Sequence, residues 1–443
     1  MTAALHQTLP QTPRSLIAAF LAYFFSPVNP FGVGRCLLNC AKILRLFQTS
    51  ATPEIEKVFG PQDQVHRMTT TLVKAVNEAS YTGLGRFCLK QEMYLRADGR
   101  KAVMRYVIAH PEVQAVKIVA PLVIVGLFRS GTTLLQRLLA CDPKARGIKN
   151  YEMAPAVGGN VVPPATEESW ETHRNIARAN RGLHKFKALF PTFMNDFNES
   201  HFIASNEFEE DATIMYHQQL DISAILNDPE VLAVQHSTEY MLQAYVYMKR
   251  YLQLLMAGFP KREHVLLKSP IHCNSLQALL SVFPDARIIN LHRDVTKVVP
   301  SAALMLSRLE SYRIDKTVDA RGYGKSVLRR LATMARSVKD FRKVVDEGHV
   351  KLIPNVAVAS ELKHHVVKPE QFIDIQYDDL VADPIATVHR IYDHFGMKVD
   401  QEFDDAMKMY LIENPQGKHV KCKVNAKQMF GLTDKEILSV FEI

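Results

Sequence analysis

No cysteine framework holds this chain together. Its six cysteines (Cys36, Cys40, Cys88, Cys141, Cys273, Cys422) form neither a dense set nor a C-x-x-C pair. That excludes a disulfide scaffold and points to reduced thiols in a cytoplasmic compartment. Cys36 and Cys40 have one-face helix spacing but no nearby His or Cys partners, so no metal site is expected. Also missing is any Lys/Arg block interleaved with aromatics. The net charge of +8 is scattered, which makes nucleic acid the weakest partner and favours an anionic ligand or a membrane surface. No internal repeat or low-complexity tract interrupts the chain.

A long membrane-spanning run is lacking too. Leu16 to Phe25 (LIAAFLAYFF) is apolar for ten residues and then meets Ser26-Pro27 and Pro30, whereas a spanning helix needs about twenty. Its upstream stretch has little positive charge and no clear small-residue cleavage site, a poor match to a secretory signal. A helix packing on the main domain or in a homodimer, and a peripheral membrane contact, are the readings left for residues 1–50. What is present is enough apolar material for a large core. With 443 residues, 47% hydrophobic and 23% charged, the chain suits one large α/β domain plus an appendage.

The chemistry centres on Pro121 to Leu139, PLVIVGLFRSGTTLLQRLL. Leu122 to Val125 are β-formers without alternation, the pattern of a parallel strand covered on both faces. The following loop keeps the two glycines of G-x-x-x-x-G-K-[ST], at Gly126 and Gly131, but puts Thr132 where the lysine belongs. A phosphate cradle is therefore expected without the ATPase lysine, with Arg129 as a permanent planar cation inside the loop.

Apolar spacing from about Glu54 predicts helices up to His110, with a break at Tyr81 to Gly85 and a second helix of about fifteen residues. Residues 51–115 read as a helical cap. After the cradle, Asn150 to Pro155 is a short polar and aromatic element bearing Glu152. Residues 167–251 are mostly helical, and the acidic group Glu207, Glu209, Glu210 and Asp211 reads as a solvated helix start or the border of an acceptor pocket. A second β–α unit has its strand at His264 to Leu267 and its loop at Lys268 to His272. A third strand, Arg287 to Leu291, delivers His292-Arg293-Asp294, and the next helix carries Ser301. That tripeptide suggests a protein kinase, but Val299 stands where the kinase asparagine belongs and no Asp-Phe-Gly follows. Further on come a basic amphipathic helix near 321–343, a strand at Gln371 to Gln376, and a basic run at 418–423.

Together, RSGTTLLQRLLACDP, LLKSPIHCNSLQALLSVFPDARIINLHRD with Ser301, and YDDLVADPIATVHRIYDHFG resemble the sulfotransferase family, in its bacterial-like branch. The resemblance runs from about Thr82 to the C-terminus and implies a P-loop-like α/β fold: a parallel sheet flanked by helices, with helical insertions and an N-terminal helical region. It assigns residues 116–443 to a sulfotransferase domain using 3′-phosphoadenosine 5′-phosphosulfate (PAPS), without a metal. By this likeness Arg129, Ser130, Gly131, Thr132, Thr133 and Leu134 hold the 5′-phosphosulfate, and Arg293 and Ser301 hold the 3′-phosphate. The pattern departs around Val424-Asn425-Ala426, so no role is carried over to the run at 418–423.

Sulfuryl transfer, like phosphoryl transfer, depends on in-line positioning and charge stabilisation. Arg129 and Lys268 are the candidate cations, and a general base must take the acceptor proton. Glu152 matches a base of some branches and is favoured over His272, which matches that of others. The acceptor is expected to be a hydroxyl or amine of a small molecule, lipid or glycan. A P-loop-type ATP-dependent kinase and a non-catalytic, membrane-associated nucleotide-binding protein are the competing functions.

Overall fold

The computed structural model describes residues 52–78, 81–153, 164–198, 203–220, 228–311, 319–358, 365–415 and 424–441. The run Leu16 to Phe25, the pair Cys36 and Cys40 and the basic run at 418–423 lie outside them.

Five strands form one sheet: β1 (Leu122–Gly126), β2 (Ala145–Arg146), β3 (His264–Lys268), β4 (Arg287–His292) and β5 (Phe372–Gln376). Their order is β2-β3-β1-β4-β5, and every pair is parallel. In β1, Val123 and Val125 enter one core and Leu122 and Ile124 the other. Burial on both faces is why the strand shows no polar alternation. The four longer strands were legible as apolar runs; β2, only two residues long, carries no such signal.

After β1 the chain moves to the β3 side, and after β4 it moves to the β5 side. Because β1 and β4 are neighbours, their connections diverge there and leave a crevice at the carboxyl ends of the strands, where α/β sheets bind ligands. Helix α1 (Thr132–Leu139) starts at that crevice.

Among the described residues, the α-helices before β1 are Pro53–Phe59, Asp63–Glu78 and Gly83–Ala109. Val65, Met68, Leu72 and Val76 share a core with Val123 and Val125. The expected fifteen-residue helix is in fact 27 residues long. Thr82 caps it by accepting the Gly85 N–H at 2.8 Å, so the glycines read as a break lie in a capped first turn. No helix of the described residues is long and apolar enough to cross a membrane.

Candidate active site

The loop after β1 is held by its own polar groups. The Ser130 hydroxyl donates to the Leu127 carbonyl at 2.7 Å, and Ser130 is buried, so this hydroxyl stiffens the turn. Gly131 caps α1 at φ +96, and a Cβ there would sit 2.7 Å from a Tyr377 ring carbon. Only glycine meets both the left-handed backbone and the close ring. Gly131 adds no side-chain cap to α1, which leaves the first N–H groups of the helix available to a ligand.

That helix start opens on a cavity of about 560 Å³, where Arg129, Gly131, Thr132, Thr133, Leu134 and Arg293 form one part of the wall. Arg129 Nε donates to Ser301 Oγ at 3.1 Å, and Arg293 Nη1 donates to the Arg129 carbonyl at 2.6 Å. The Arg293 guanidinium lies 3.9 Å from the Tyr377 ring centre, a cation–π contact that fixes its plane. Its Nε is buried without a hydrogen-bond partner among the described residues. An orphaned cationic donor beside an uncapped helix start suits a polyanion such as a nucleotide phosphate. Ser301 lies 172 residues from Arg129 in sequence and reaches this wall through it.

Lys268, at the end of β3, is almost fully buried. Its Nζ lies 3.0 Å from Glu210 Oε1, and Glu210 and Glu209 both line the cavity. The Lys268 backbone N–H donates to Asp211 Oδ2 at 2.6 Å. Asp211 also lies 3.0 Å from His272 Nε2, while His272 Nδ1 is 2.8 Å from the Tyr245 hydroxyl. Burial pushes the Tyr245 phenol well above its ordinary range, so that group stays a hydroxyl. His272 is therefore enclosed between Tyr245 and Asp211, with no exposed surface, and lies behind the wall. Of the acidic group, Glu207 is the solvated member, paired with Arg137 at 3.0 Å; the others turn inward. Glu210 and Asp211 were read as a solvated helix start or a pocket border, because their shared partner Lys268 lies 58 and 57 residues away.

Glu152 does not reach the cavity. Its side chain is 1% exposed and receives both Arg146 Nη atoms, the Lys149 N–H at 3.0 Å and Trp170 Nε1 at 3.2 Å. Arg146, on β2, stacks 3.8 Å from the Phe259 ring centre. A glutamate read as a loop acid is thus a locked buried carboxylate, because its strongest partner comes from the strand that left no sequence signal.

The rest of the cavity wall is apolar. Leu183 and Phe186 come from helix α2 (Arg174–Leu189). Phe186, Ile203, Met305 and Leu309 pack around the buried Met194. Spacing alone gave no sign that these residues, spread over more than a hundred positions, meet.

Residues 121–401 match the model of a family described as "Sulfotransferase family". The omega-hydroxy-beta-dihydromenaquinone-9 sulfotransferase Stf3 of Mycobacterium tuberculosis is 26% identical over 317 residues, 70% of each chain, and the protein of that name from Mycobacterium bovis matches equally. Among solved structures, the sulfotransferase STF9 from Mycobacterium avium superposes with a TM-score of 0.72 at 21% identity, over 92% of this chain and 95% of that one. The sulfotransferase STF1 from Mycobacterium tuberculosis gives 0.68 at 22% identity, over 91% and 96%. These structures share the fold, a parallel sheet under flanking helices, and the match of the family model across the sheet and its loops establishes that the chain belongs to the sulfotransferase family.

Proposed function

We propose that this enzyme moves a sulfuryl group from PAPS to a hydroxyl on an apolar, lipid-like small molecule. One observation carries the reading: a single cavity is lined by the Arg129 to Leu134 cradle with Arg293, by Glu210 with Lys268 behind it, and by the apolar set around Met194. The relative Stf3 is named for acting on omega-hydroxy-beta-dihydromenaquinone-9, an acceptor of the class that such a wall suits.

PAPS, when bound, supplies an activated sulfuryl group on a phosphate leaving group. The N–H groups at the start of α1, with Thr132 and Thr133, hold the 5′-side anion. Arg293, anchored on Arg129 and Tyr377, meets the 3′-phosphate, with Ser301 steadying Arg129. Glu210 is the base that takes the acceptor proton, since its carboxylate lines the cavity whereas that of Glu152 is enclosed by Arg146. Lys268 orients Glu210 and, with Arg129, offsets the charge developing on the leaving oxygen. His272 is a positioning residue, acting through Asp211 on the Lys268 backbone. No metal ligand set is needed, because the cations are side chains.

Calorimetry with adenosine 3′,5′-bisphosphate against ADP tests the donor. The bisphosphate is expected to bind about tenfold or more tightly, the worth of one charge-assisted contact. Selective binding of ADP would instead support the kinase reading. Labelled-sulfate transfer into lipid extracts then tests the acceptor class; incorporation confined to glycans or polar amines would overturn it.

A further inference from the structure

Helix α2 has two faces with different tasks. Ile176 and Ala179 pack on the cluster around Trp170, and Leu183 and Phe186 line the cavity; the spacing of three, four and three residues puts all four on one stripe. Arg174, Arg178, Arg181 and Lys185, spaced four, three and four apart, form a second stripe on the outer side. The helix contains no acidic residue. None of the four cations takes part in an ion pair among the described residues, and Arg174, Arg181 and Lys185 are exposed. One helix thus turns apolar side chains to the cavity and carries a stripe of four cations on its opposite side.

A solvated surface is the ordinary fate of a charge run. Two observations argue for more here. The stripe lies on the side of the helix opposite Leu183 and Phe186, the two residues by which it lines the cavity. Beside that cavity, the helix Gln401–Glu413 contributes Leu411 to the wall while leaving Met409 54% and Ile412 72% exposed. Four cations with two exposed aliphatic side chains complement anionic headgroups over acyl chains. They lack the interleaved aromatics that stack nucleic-acid bases.

We propose that the outer stripe of helix α2 docks the enzyme on an anionic lipid surface, so that the cavity takes its apolar acceptor from that surface. Docking stands on the surface features alone; only the route of the acceptor rests on the sulfotransferase reading. The proposal is independent of Leu16 to Phe25.

The test is sedimentation of the full chain with vesicles of phosphatidylcholine, with and without phosphatidylglycerol. Each basic residue near such a surface contributes about fivefold in binding, so Arg174→Gln/Arg181→Gln/Lys185→Gln should weaken anionic-vesicle binding about a hundredfold. Rising salt should weaken the parent in the same way. Unchanged affinity of the triple variant for adenosine 3′,5′-bisphosphate would show that its fold is intact. Equal vesicle binding by variant and parent overturns the proposal, as does a parent that ignores anionic vesicles while retaining DNA. Loss of bisphosphate binding in the parent itself would overturn the donor assignment and leave the docking result standing.

Discussion

The two parts of the cavity wall are made of different material. The cradle part stands on loops leaving β1 and β4, strands whose apolar residues are almost fully buried, and its side chains are tied to each other: Arg293 to Arg129, Arg129 to Ser301. The apolar part stands on α2 and its neighbours, and no described side chain of α2 is fully buried. On the proposed function, the donor meets a rigid, pre-organised frame, while acceptor choice falls to elements packed through a few apolar contacts. Glu210 sits where the two meet, and Glu152 sits behind, in the frame.

The largest expected effect tests that placement. Glu210→Gln should lower turnover about 10²- to 10⁴-fold, the usual worth of a general base, with bisphosphate affinity retained. Glu152→Gln should instead act on stability, costing about 3–5 kcal/mol in denaturant unfolding because the buried Arg146 charge loses its partner. If the folded Glu152→Gln protein is inactive and Glu210→Gln is active, the base returns to Glu152 and the division between wall and frame collapses.

The same contrast explains what could be read in the chain. Gly126, Arg129 and Gly131 are contiguous, and each strand-loop pair announces itself within about ten residues. The loop after β1 was therefore legible, and Arg293 and Ser301, which the structure brings to it, stood out in the same way. The pairing of Glu210 with Lys268 was hidden because it spans 58 residues, and the enclosure of Glu152 by Arg146 and Trp170 forms only on folding. The apolar wall was invisible for a stronger reason: Leu183, Met194, Ile203 and Met305 are ordinary apolar residues until four separate segments pack together.

A smaller effect concerns the support of the acceptor side. Tyr216 lines the cavity, and the next residue, His217, is buried with Nδ1 2.7 Å from the Tyr247 hydroxyl. Burial, with Arg96 and Arg100 nearby, lowers its pKa to about 3, against about 6.5 in an unfolded chain. Between those values the native state binds fewer protons than the unfolded one, so stability rises with pH and is lost as pH falls below about 6.5. The slope is about 1.4 kcal/mol per pH unit. Denaturant unfolding from pH 7 to pH 5 should reveal it, and His217→Gln should remove that share. Hydrogen exchange should then quicken first around 216–218, ahead of the β1 loop; the reverse order would mean that the nucleotide frame is the weaker part.

The smallest effect is the sharpest probe of the division itself. Phe186 is half-buried and touches the cavity from α2, so truncating it removes apolar wall without touching Arg129, Arg293 or Glu210. Phe186→Ala should raise the acceptor KM about tenfold, the low end for lost apolar contact in a pocket that solvent partly shares. The bisphosphate affinity should stay put, since no described contact joins Phe186 to the cradle. If kcat falls with KM unchanged, the ring would be positioning the reacting hydroxyl, and the acceptor wall would belong to the catalytic frame after all.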